Sequence, residues 1–255
     1  MPSRDTTALG EPCWVDLMTS DPATTRKFYT SVFGWEDGEA AEEFGGYFQF
    51  FKDGVPVCGV TPSARDYVGP DAWSVYLAVD DVAEALARSE KLGAQVVFPA
   101  MTVGDLGTMG VMIDPSGAAV GVWSALSFPG FGVTGEPGAP EWFEQHSRDY
   151  SRALAFYRDA FDWEIHAMSD TGEFRYSTSE RDGRPFAGIM DSSGHLPEGV
   201  PSYWTVHFGS DNTDLAVERT LELGGSVVTP AADSPYGRVA ALCDATGATF
   251  RVMQR

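Results

Sequence analysis

Three residues in the second half of the sequence have the types and spacing for acid–base or metal chemistry: Glu144, His146 and His207. Glu144 and His146 are two positions apart in a strand-like segment, so their side chains should point to the same face. A carboxylate beside an imidazole orients it, and an imidazole with a pKa near neutrality suits a general acid or base. His207 lies in a second strand-like segment that we expect to run beside the first. The three side chains are therefore predicted to meet.

Three interpretations of this group stay open. In the first, His207 or His146 transfers protons, Glu144 orients the imidazole, and no cofactor takes part. In the second, the three side chains form a two-histidine, one-carboxylate metal site. Arg251, predicted on the same face, disfavours a metal because its charge repels a cation. In the third, the histidines are structural residues whose hydrogen bonds are satisfied by a carboxylate.

The strands and helices that position these residues are encoded twice. Trp14 and Trp142 are 128 positions apart, as are Trp35 and Trp163, with no gap between the two pairs. Each half also contains a second strand led by tryptophan, a Leu-Gly pair after a helical segment, and an Asp-x-x-Gly-Ala turn. A repeat of this length indicates two tandem copies of one domain, because solenoid repeats are much shorter.

Within each copy the hydrophobic periodicity changes from that of a strand to that of a helix and back. Residues 14–19 alternate like a strand, Asp21 and Pro22 begin a helix, and Gly34 ends it. The order of strand, helix and several short strands occurs twice per copy, and Asp80 is predicted to cap the second helix of the first copy. The predicted fold class is α+β, with two tandem domains that each consist of two βαβββ modules.

Glycine and proline mark the domain boundary. Residues 126–139 are rich in both, which is typical of a linker. We assign residues 1–125 to domain 1 and residues 140–255 to domain 2.

Composition limits the partners and the compartment. The 255 residues carry a formal net charge of −20, which disfavours nucleic acid and anionic membrane surfaces as partners. Cys13, Cys58 and Cys243 lie in apolar, strand-like segments and are predicted to be reduced core residues. The first ten residues lack a secretory pattern, and no apolar stretch approaches 18 residues, so we expect a cytoplasmic protein.

Two motifs carry a resemblance to a known family. The pattern Phe28-Tyr29-x-x-x-Phe33-Gly34-Trp35, and the turn 114–118 before a strand ending in Trp123, resemble the vicinal oxygen chelate superfamily. This superfamily includes glyoxalase I, bleomycin-resistance proteins, fosfomycin-resistance enzymes and extradiol dioxygenases. Among its members the sequence looks most like tandem glyoxalase-like proteins of actinobacteria. The resemblance implies that paired modules form a cup-shaped, mostly antiparallel sheet with the helices outside.

The resemblance also implies where a metal would be held. Metal-using members bind a divalent ion through four inward side chains, one on the first and one on the last strand of each module. In this sequence the corresponding positions are Trp14, Gly59, Ser74 and Gly121 in domain 1, and Trp142, Gly188, Thr205 and Arg251 in domain 2. None of the first four is a strong metal ligand, and Arg251 repels a cation. We therefore expect neither a metal nor another cofactor.

Strand alternation predicts the residues that line each cup. The predicted ligand-binding residues of domain 1 are Trp14, Asp16, Ser74, Tyr76 and Trp123. Those of domain 2 are Trp142, Thr205 and Arg251, beside the candidate catalytic residues Glu144, His146 and His207. The lining of domain 1 is aromatic and has few titratable groups, which suits a planar or apolar ligand, unless its tryptophans merely fill space.

These observations favour a metal-independent protein that binds a small aromatic metabolite or an antibiotic-like compound, in resistance or in secondary-metabolite handling. The alternative is a cofactor-independent lyase, isomerase or hydroxylase-like enzyme that uses the Glu144 group. A metal-dependent glyoxalase or dioxygenase is a second alternative. The expected partner is a small molecule, and the sequence leaves open whether the chain is a monomer or a homodimer.

Overall fold

Two eight-stranded sheets and four α-helices make up the described part of the chain. The structure is a computed structural model that describes residues 7–64 and 66–255. The absence of a secretory pattern was predicted from the first ten residues, of which 1–6 lie outside the described residues. Within the described residues, no helix is long and apolar enough to cross a membrane.

Domain 1 contains two modules with the predicted order of elements. The first comprises β1 (Pro12–Thr19), α1 (Pro22–Phe33), β2 (Glu36–Asp37), β3 (Phe48–Lys52) and β4 (Val55–Pro62). The second comprises β5 (Ala72–Ala78), α2 (Val82–Lys91), β6 (Gln95–Val103), β7 (Gly107–Ile113) and β8 (Ala119–Ala125).

Domain 2 repeats this order. Its first module comprises β9 (Pro140–Ser147), α3 (Tyr150–Phe161), β10 (Glu164–Asp170), β11 (Arg175–Arg181) and β12 (Arg184–Asp191). Its second comprises β13 (Tyr203–Gly209), α4 (Thr213–Glu222), β14 (Ser226–Ser234), β15 (Gly237–Cys243) and β16 (Thr249–Gln254). The predicted α+β fold with four βαβββ modules is confirmed.

The two modules of each domain meet along their first strands. In domain 1 the strand order is β2-β3-β4-β1-β5-β8-β7-β6, and in domain 2 it is β10-β11-β12-β9-β13-β16-β15-β14. The central pairs β1–β5 and β9–β13 are antiparallel, whereas the first and last strands of a module are parallel neighbours. The first strand of every module therefore lies at the middle of its sheet, with its alternate side chains facing opposite sides.

Local sequence accounts for the helix ends. The Asp21 side chain accepts a hydrogen bond from the Thr24 amide, Pro22 occupies the first helical position, and Gly34 ends α1 in the left-handed conformation at φ 70°. The cap of α2, predicted as Asp80, is Asp81. Its carboxylate lies within 2.9 Å of the Glu84 amide, the geometry that an N-cap requires.

Residues 101–109 mostly form the hairpin of β6 and β7, in which Gly104 takes a positive φ of 53° near the turn. The expectation for the cysteines needs correction. All three cysteines are free, but only Cys13 and Cys58 are buried. Cys243 is partly exposed because it ends β15 close to the surface.

Reciprocal hydrogen bonds between buried side chains join the two domains. The Tyr29 hydroxyl on α1 donates to Asp244 Oδ2 at 2.9 Å, and the Tyr157 hydroxyl on α3 donates to Asp114 Oδ2 at 2.7 Å. The other oxygen of each aspartate accepts backbone amides of its own Asp-x-x-Gly turn. Each aspartate therefore stabilises a turn in its own domain and receives a tyrosine from the other domain.

Aromatic rings surround these hydrogen bonds. Trp73 and Trp204 donate through Nε1 to the hydroxyls of Tyr29 and Tyr157, at 3.1 and 2.8 Å. Phe208 of domain 2 packs within 5.1 to 5.3 Å of three domain 1 rings, those of Phe33, Trp35 and Trp73. Helix α1 packs against α4, and α2 against α3. The helix-bearing faces of the two sheets therefore share one core, and the opposite faces are directed away from it.

Replacing Tyr29 with Phe tests this joint. Asp244 Oδ2 would lose the hydroxyl that donates to it while staying buried, so we expect the free energy of unfolding in urea to fall by about 1–3 kcal/mol. The matched change Tyr157→Phe should cost less, because Gln145 Nε2 also donates to Asp114 Oδ2, whereas Leu17 occupies the equivalent position in domain 1. Equal losses, or no loss in either variant, would contradict this assignment.

Candidate functional site

The predicted site residues of each domain lie on one face of the sheet, opposite the shared core; we call it the inner face. In domain 1, Asp16 lies opposite both Gly59 and Ser74, and Tyr76 lies opposite both Trp14 and Gly121. Trp123 lies two residues beyond Gly121 in β8 and faces the same side. In domain 2, Glu144 lies opposite Gly188 and Thr205, while His207 lies opposite Trp142 and Arg251.

A tryptophan, a tyrosine and a carboxylate form the same hydrogen-bonded group on both inner faces. In domain 1, Trp14 Nε1 and the Tyr47 hydroxyl donate to Asp16 Oδ1 at 2.8 and 2.9 Å. In domain 2, Trp142 Nε1 donates to the Tyr176 hydroxyl at 3.0 Å. That hydroxyl donates to Glu144 Oε2 at 2.9 Å.

Sequence reasoning missed both tyrosines, although the repeat itself could have shown them. Tyr47 and Tyr176 are 129 positions apart, as are Gly59 and Gly188. A methyl group at either glycine would overlap the neighbouring tyrosine hydroxyl oxygen. Glycine is needed there because it lets the tyrosine reach the carboxylate.

The linker covers the inner face of domain 1. The Phe128 ring packs edge-on against Trp14 with centroids 4.8 Å apart, and it also contacts Trp123. Trp123 Nε1 donates to the Phe128 carbonyl oxygen at 2.9 Å, which fixes the segment in place. Phe131 also packs against Trp14. Trp14 is consequently 5% exposed, and protein side chains already occupy its aromatic surface.

The inner face of domain 2 is more open. Trp142 is partly exposed, whereas its counterpart Trp14 is buried. Exposed Phe174 stacks on Tyr176 with centroids 5.9 Å apart. Burial raises the pKa of Tyr176, and the charge of Glu144 and the hydrogen bond to it raise that pKa further. Tyr236 is also exposed.

Beneath these rings lies the predicted group of Glu144, His146 and His207, together with Arg251. Glu144 Oε1 is 2.9 Å from His146 Nε2, 3.9 Å from His207 Nε2 and 3.9 Å from Arg251 Nη1. Arg251 Nη2 is 3.0 Å from His146 Nε2. His146 also bonds Ser192 Oγ through Nδ1 and stacks on the Tyr203 ring. The structure thus brings together residues from three strands, as the sequence predicted.

Burial and charge act in opposite directions on these groups. Burial raises the pKa of Glu144, but the hydrogen bond from His146 and the charges of its neighbours outweigh burial and hold that pKa well below its usual range. Burial lowers the pKa of His207 to about 3, against the raising effect of Glu144. The expected near-neutral pKa is therefore not found at His207. At neutral pH His207 is uncharged, so Arg251 supplies the lasting positive charge beside Glu144.

His207 has an unusual position for a buried polar side chain. It is 5% exposed, yet neither ring nitrogen has a hydrogen-bond partner among the described residues. Its counterpart in domain 1 is Tyr76, whose hydrogen bond lowers the pKa of Asp16. A neutral imidazole carries one donor and one acceptor, and leaving them unpaired costs free energy.

The donors on the inner faces do not fit the metal that the resemblance implies. In each domain a glycine stands at one ligand position, and a tyrosine hydroxyl fills the space beside it. In the alternative set of Glu144, His146 and His207, the Arg251 guanidinium contacts both His146 and Glu144. Among the described residues, no cluster of three or more His, Cys, Asp or Glu side chains has a geometry suited to a metal ion.

Two grooves of about 320 and 390 Å³ lie elsewhere, at the two junctions between the domains. They are lined by helix ends and by residues of the linker or the N-terminal segment, and neither contains a member of the Glu144 group. Because His207 has unpaired polar atoms, we take the inner face of domain 2, and not the grooves, as the candidate site.

Comparison with known proteins agrees with this architecture. Residues 13–122 match the family model of the glyoxalase/bleomycin resistance protein/dioxygenase superfamily, and residues 143–253 match the model of a glyoxalase-like domain. The chain belongs to this superfamily. The family that the sequence motifs resemble is thereby confirmed.

Relatives of similar length exist in actinobacteria. CFP32 of Mycobacterium tuberculosis is 35% identical over 260 residues, which cover 100% of this chain and 98% of CFP32. The anthracycline biosynthesis protein DauV of Streptomyces sp. is 36% identical over 263 residues, covering 97% of this chain and 94% of DauV.

Solved structures of superfamily members share the fold at low identity. The Mn(II)-bound glyoxalase from Novosphingobium aromaticivorans has a TM-score of 0.66 at 16% identity, covering 96% of this chain and 82% of the glyoxalase. The 2,3-dioxygenase LapB from Pseudomonas sp. KL28 has a TM-score of 0.67 at 12% identity, covering 98% of this chain and 93% of LapB. At such identities the likeness concerns the superfamily fold and carries no information about the site.

The two carboxylates should respond oppositely to pH. Burial raises the pKa of Asp16 to about 6, opposed by hydrogen bonds from Tyr47, Trp14 and Tyr76. A raised folded-state pKa means that stability is lost as pH rises from about 4 to about 6. Asp16→Asn should therefore match the parent protein near pH 4 and exceed its free energy of unfolding by about 2 kcal/mol at pH 7.

Glu144→Gln is the matched comparison. The lowered pKa of Glu144 means that its ionised form stabilises the fold above the unfolded-state value and that this contribution disappears as pH falls. The variant should therefore be less stable than the parent at pH 7, and the difference should shrink in acid. Urea titrations across pH 4–8 measure both variants, and changes of the same sign would refute these assignments.

His207→Leu tests the unpaired imidazole. Leucine has a similar volume and no polar atoms, so we expect the free energy of unfolding of the ligand-free protein to rise by about 1–2 kcal/mol. A destabilised variant would show that the imidazole is already hydrogen-bonded, for instance to water.

Proposed function

We propose that this protein binds a planar aromatic metabolite on the inner face of domain 2, without a metal ion. The observation that carries the proposal is the contrast between the two inner faces. Phe128 covers Trp14 in domain 1, whereas Trp142 is partly exposed above a buried polar group with unpaired atoms. An aromatic surface with a few convergent polar groups is typical of a small-molecule site.

The kind of ligand follows from the exposed rings and from the relatives. Phe174 and Tyr236 are exposed and Trp142 is partly exposed, and the side chain of Arg251 is 25% exposed. Aromatic faces bind planar rings by stacking. DauV and DnrV are named as anthracycline biosynthesis proteins, and DnrV of Streptomyces peucetius is 35% identical to this chain. Because anthracyclines are polycyclic aromatic compounds, we propose a ligand of that class for this protein. Its role would be in secondary-metabolite handling or resistance.

Binding without a metal follows from the donors. A cation at the inner face of domain 2 would have to displace Arg251 from Glu144 and His146, or be repelled by it. In this proposal the predicted ligand-binding residues of domain 2 contact the ligand, and those of domain 1 have a structural role.

The same group is the best candidate for catalysis. With a pKa of about 3, His207 is a weak base at neutral pH, which favours a role in hydrogen bonding the ligand over general-base catalysis. In this proposal Glu144 orients His146 and holds Arg251 in place, and Arg251 and His207 face the ligand.

Calorimetric titration with 1,4-dihydroxyanthraquinone tests the proposal. We expect one equivalent to bind per chain after exhaustive treatment with EDTA, with unchanged affinity when Mn²⁺, Fe²⁺ or Zn²⁺ is added back. Trp142→Phe should weaken binding by about three- to tenfold. Phenylalanine offers a smaller ring for stacking than tryptophan, and an aromatic pair contributes on the order of 1 kcal/mol.

Trp14→Phe is the control at the equivalent position of domain 1. It should change the affinity by less than about twofold, since Phe128 already covers that ring. Binding that requires an added metal, or that is weakened equally by both substitutions, would overturn the proposal.

A further inference from the structure

The hydrogen-bonding groups on the inner face of domain 2 do not satisfy one another, because they include more donors than acceptors. His146 Nε2 lies 2.9 Å from Glu144 Oε1 and 3.0 Å from Arg251 Nη2. If Nε2 carries a proton, it can donate to Glu144 but is repelled by an N–H of Arg251. If Nε2 carries a lone pair, it can accept from Arg251 but is repelled by the carboxylate. One nitrogen cannot satisfy both neighbours.

Donors already surround the carboxylate oxygens of Glu144, but Arg251 has more N–H donors than it has acceptors in the described structure. Glu144 Oε2 accepts from the Tyr176 hydroxyl, and its Oε1 has His146 within hydrogen-bond distance. A guanidinium has five N–H donors, and the partners of Arg251 in the described structure are His146 and, at 3.9 Å, Glu144. The neutral His207 adds a further unpaired N–H.

The equivalent place in domain 1 lacks these donors. Gly121 stands at the position of Arg251, Tyr76 at that of His207, and Met18 at that of His146. Burial and hydrogen bonds, and no charge of a described cation, account for the pKa shift of Asp16 there, and Phe128 of the linker covers Trp14. Positive charge and free donors were thus placed on the inner face that is open.

We propose that the ligand of domain 2 presents an ionised oxygen, of the enolate or phenolate type, to Arg251 and His207. This inference rests on the proposed function and specifies the ligand's charge. An oxyanion conjugated to a planar ring accepts hydrogen bonds from both residues, while the ring lies against Trp142 and the exposed aromatic side chains. Charge-assisted hydrogen bonds to guanidinium are roughly twice as strong as neutral ones, so the two residues select the ionised form.

Two matched probes test the inference: 2-hydroxy-1,4-naphthoquinone, whose hydroxyl ionises, and 2-methoxy-1,4-naphthoquinone, whose oxygen cannot. Calorimetry with the full chain at pH 7 should show at least about tenfold tighter binding of the hydroxy compound. The preference should disappear when the pH is lowered until that hydroxyl is protonated.

Substitutions assign the preference to residues. Arg251→Gln should reduce the preference to less than about threefold, and Arg251→Lys should restore part of it by returning the charge. His207→Gln, which keeps one donor and one acceptor, should bind better than His207→Leu. Arg238→Gln is the control, because Arg238 pairs with Asp214 and Asp233 at the surface of the same sheet and should not affect the preference. Melting temperatures confirm that each variant is folded.

The outcomes separate the inference from the proposed function. Equal binding of both probes, with weaker binding of both in Trp142→Phe, would leave the proposed function standing and refute the charged ligand. A preference that survives Arg251→Gln would also refute it. Failure of either probe, and of the anthraquinone, to bind would refute the proposed function itself.

Discussion

The two domains depend on a pair of buried hydrogen bonds that cross between them. Each Asp-x-x-Gly turn directs one carboxylate oxygen to its own backbone and leaves the other for a tyrosine of the opposite domain. A buried carboxylate oxygen without a partner is costly, so each tyrosine supplies the donor that the docked turn of the other domain requires. This constraint fixes which face of each sheet packs into the shared core and which face is left for a ligand.

The paired motifs that define the repeat contribute to the interface between the domains and not to the candidate site. Tyr29 and Tyr157 donate to the turn aspartates of the opposite domain. Trp163 donates to the backbone carbonyl of Gly10 in domain 1, and Trp35 donates to that of Gly138 in the linker. Because both domains contribute the same groups, neither copy can lose them without weakening the other. The outward-directed inner faces carry no such mutual requirement and have diverged.

Divergence of the inner faces follows from a few exchanges around a common core. Tryptophan, tyrosine, glycine and carboxylate are kept in both domains, whereas Gly121 is matched by Arg251 and Tyr76 by His207. In domain 1 the carboxylate of Asp16 has a raised pKa. In domain 2 the added guanidinium and imidazoles lower the pKa of Glu144. A carboxylate at the same position is thus a cost in one domain and the anchor of a donor-rich site in the other, in keeping with the separation of fold from function in this type of scaffold.

The sequence by itself determined the α+β class, the four modules, the cap of α1 and the alternation that puts Trp142, Glu144 and Arg251 on one face. These features depend on local spacing and on the internal repeat, which a single chain displays directly. It also placed Asp80 where Asp81 caps α2, because two adjacent aspartates are equivalent until the helix geometry selects one.

Only the tertiary structure decided that Tyr47 and Tyr176 join the carboxylates, that Phe128 covers Trp14, and that His207 is unpaired with a pKa of about 3. Each of these facts depends on contacts between residues far apart in the chain, as with the 215 positions between Tyr29 and Asp244. Burial and the availability of hydrogen-bond partners are properties of the packed molecule, so they cannot be predicted from a local pattern of residues.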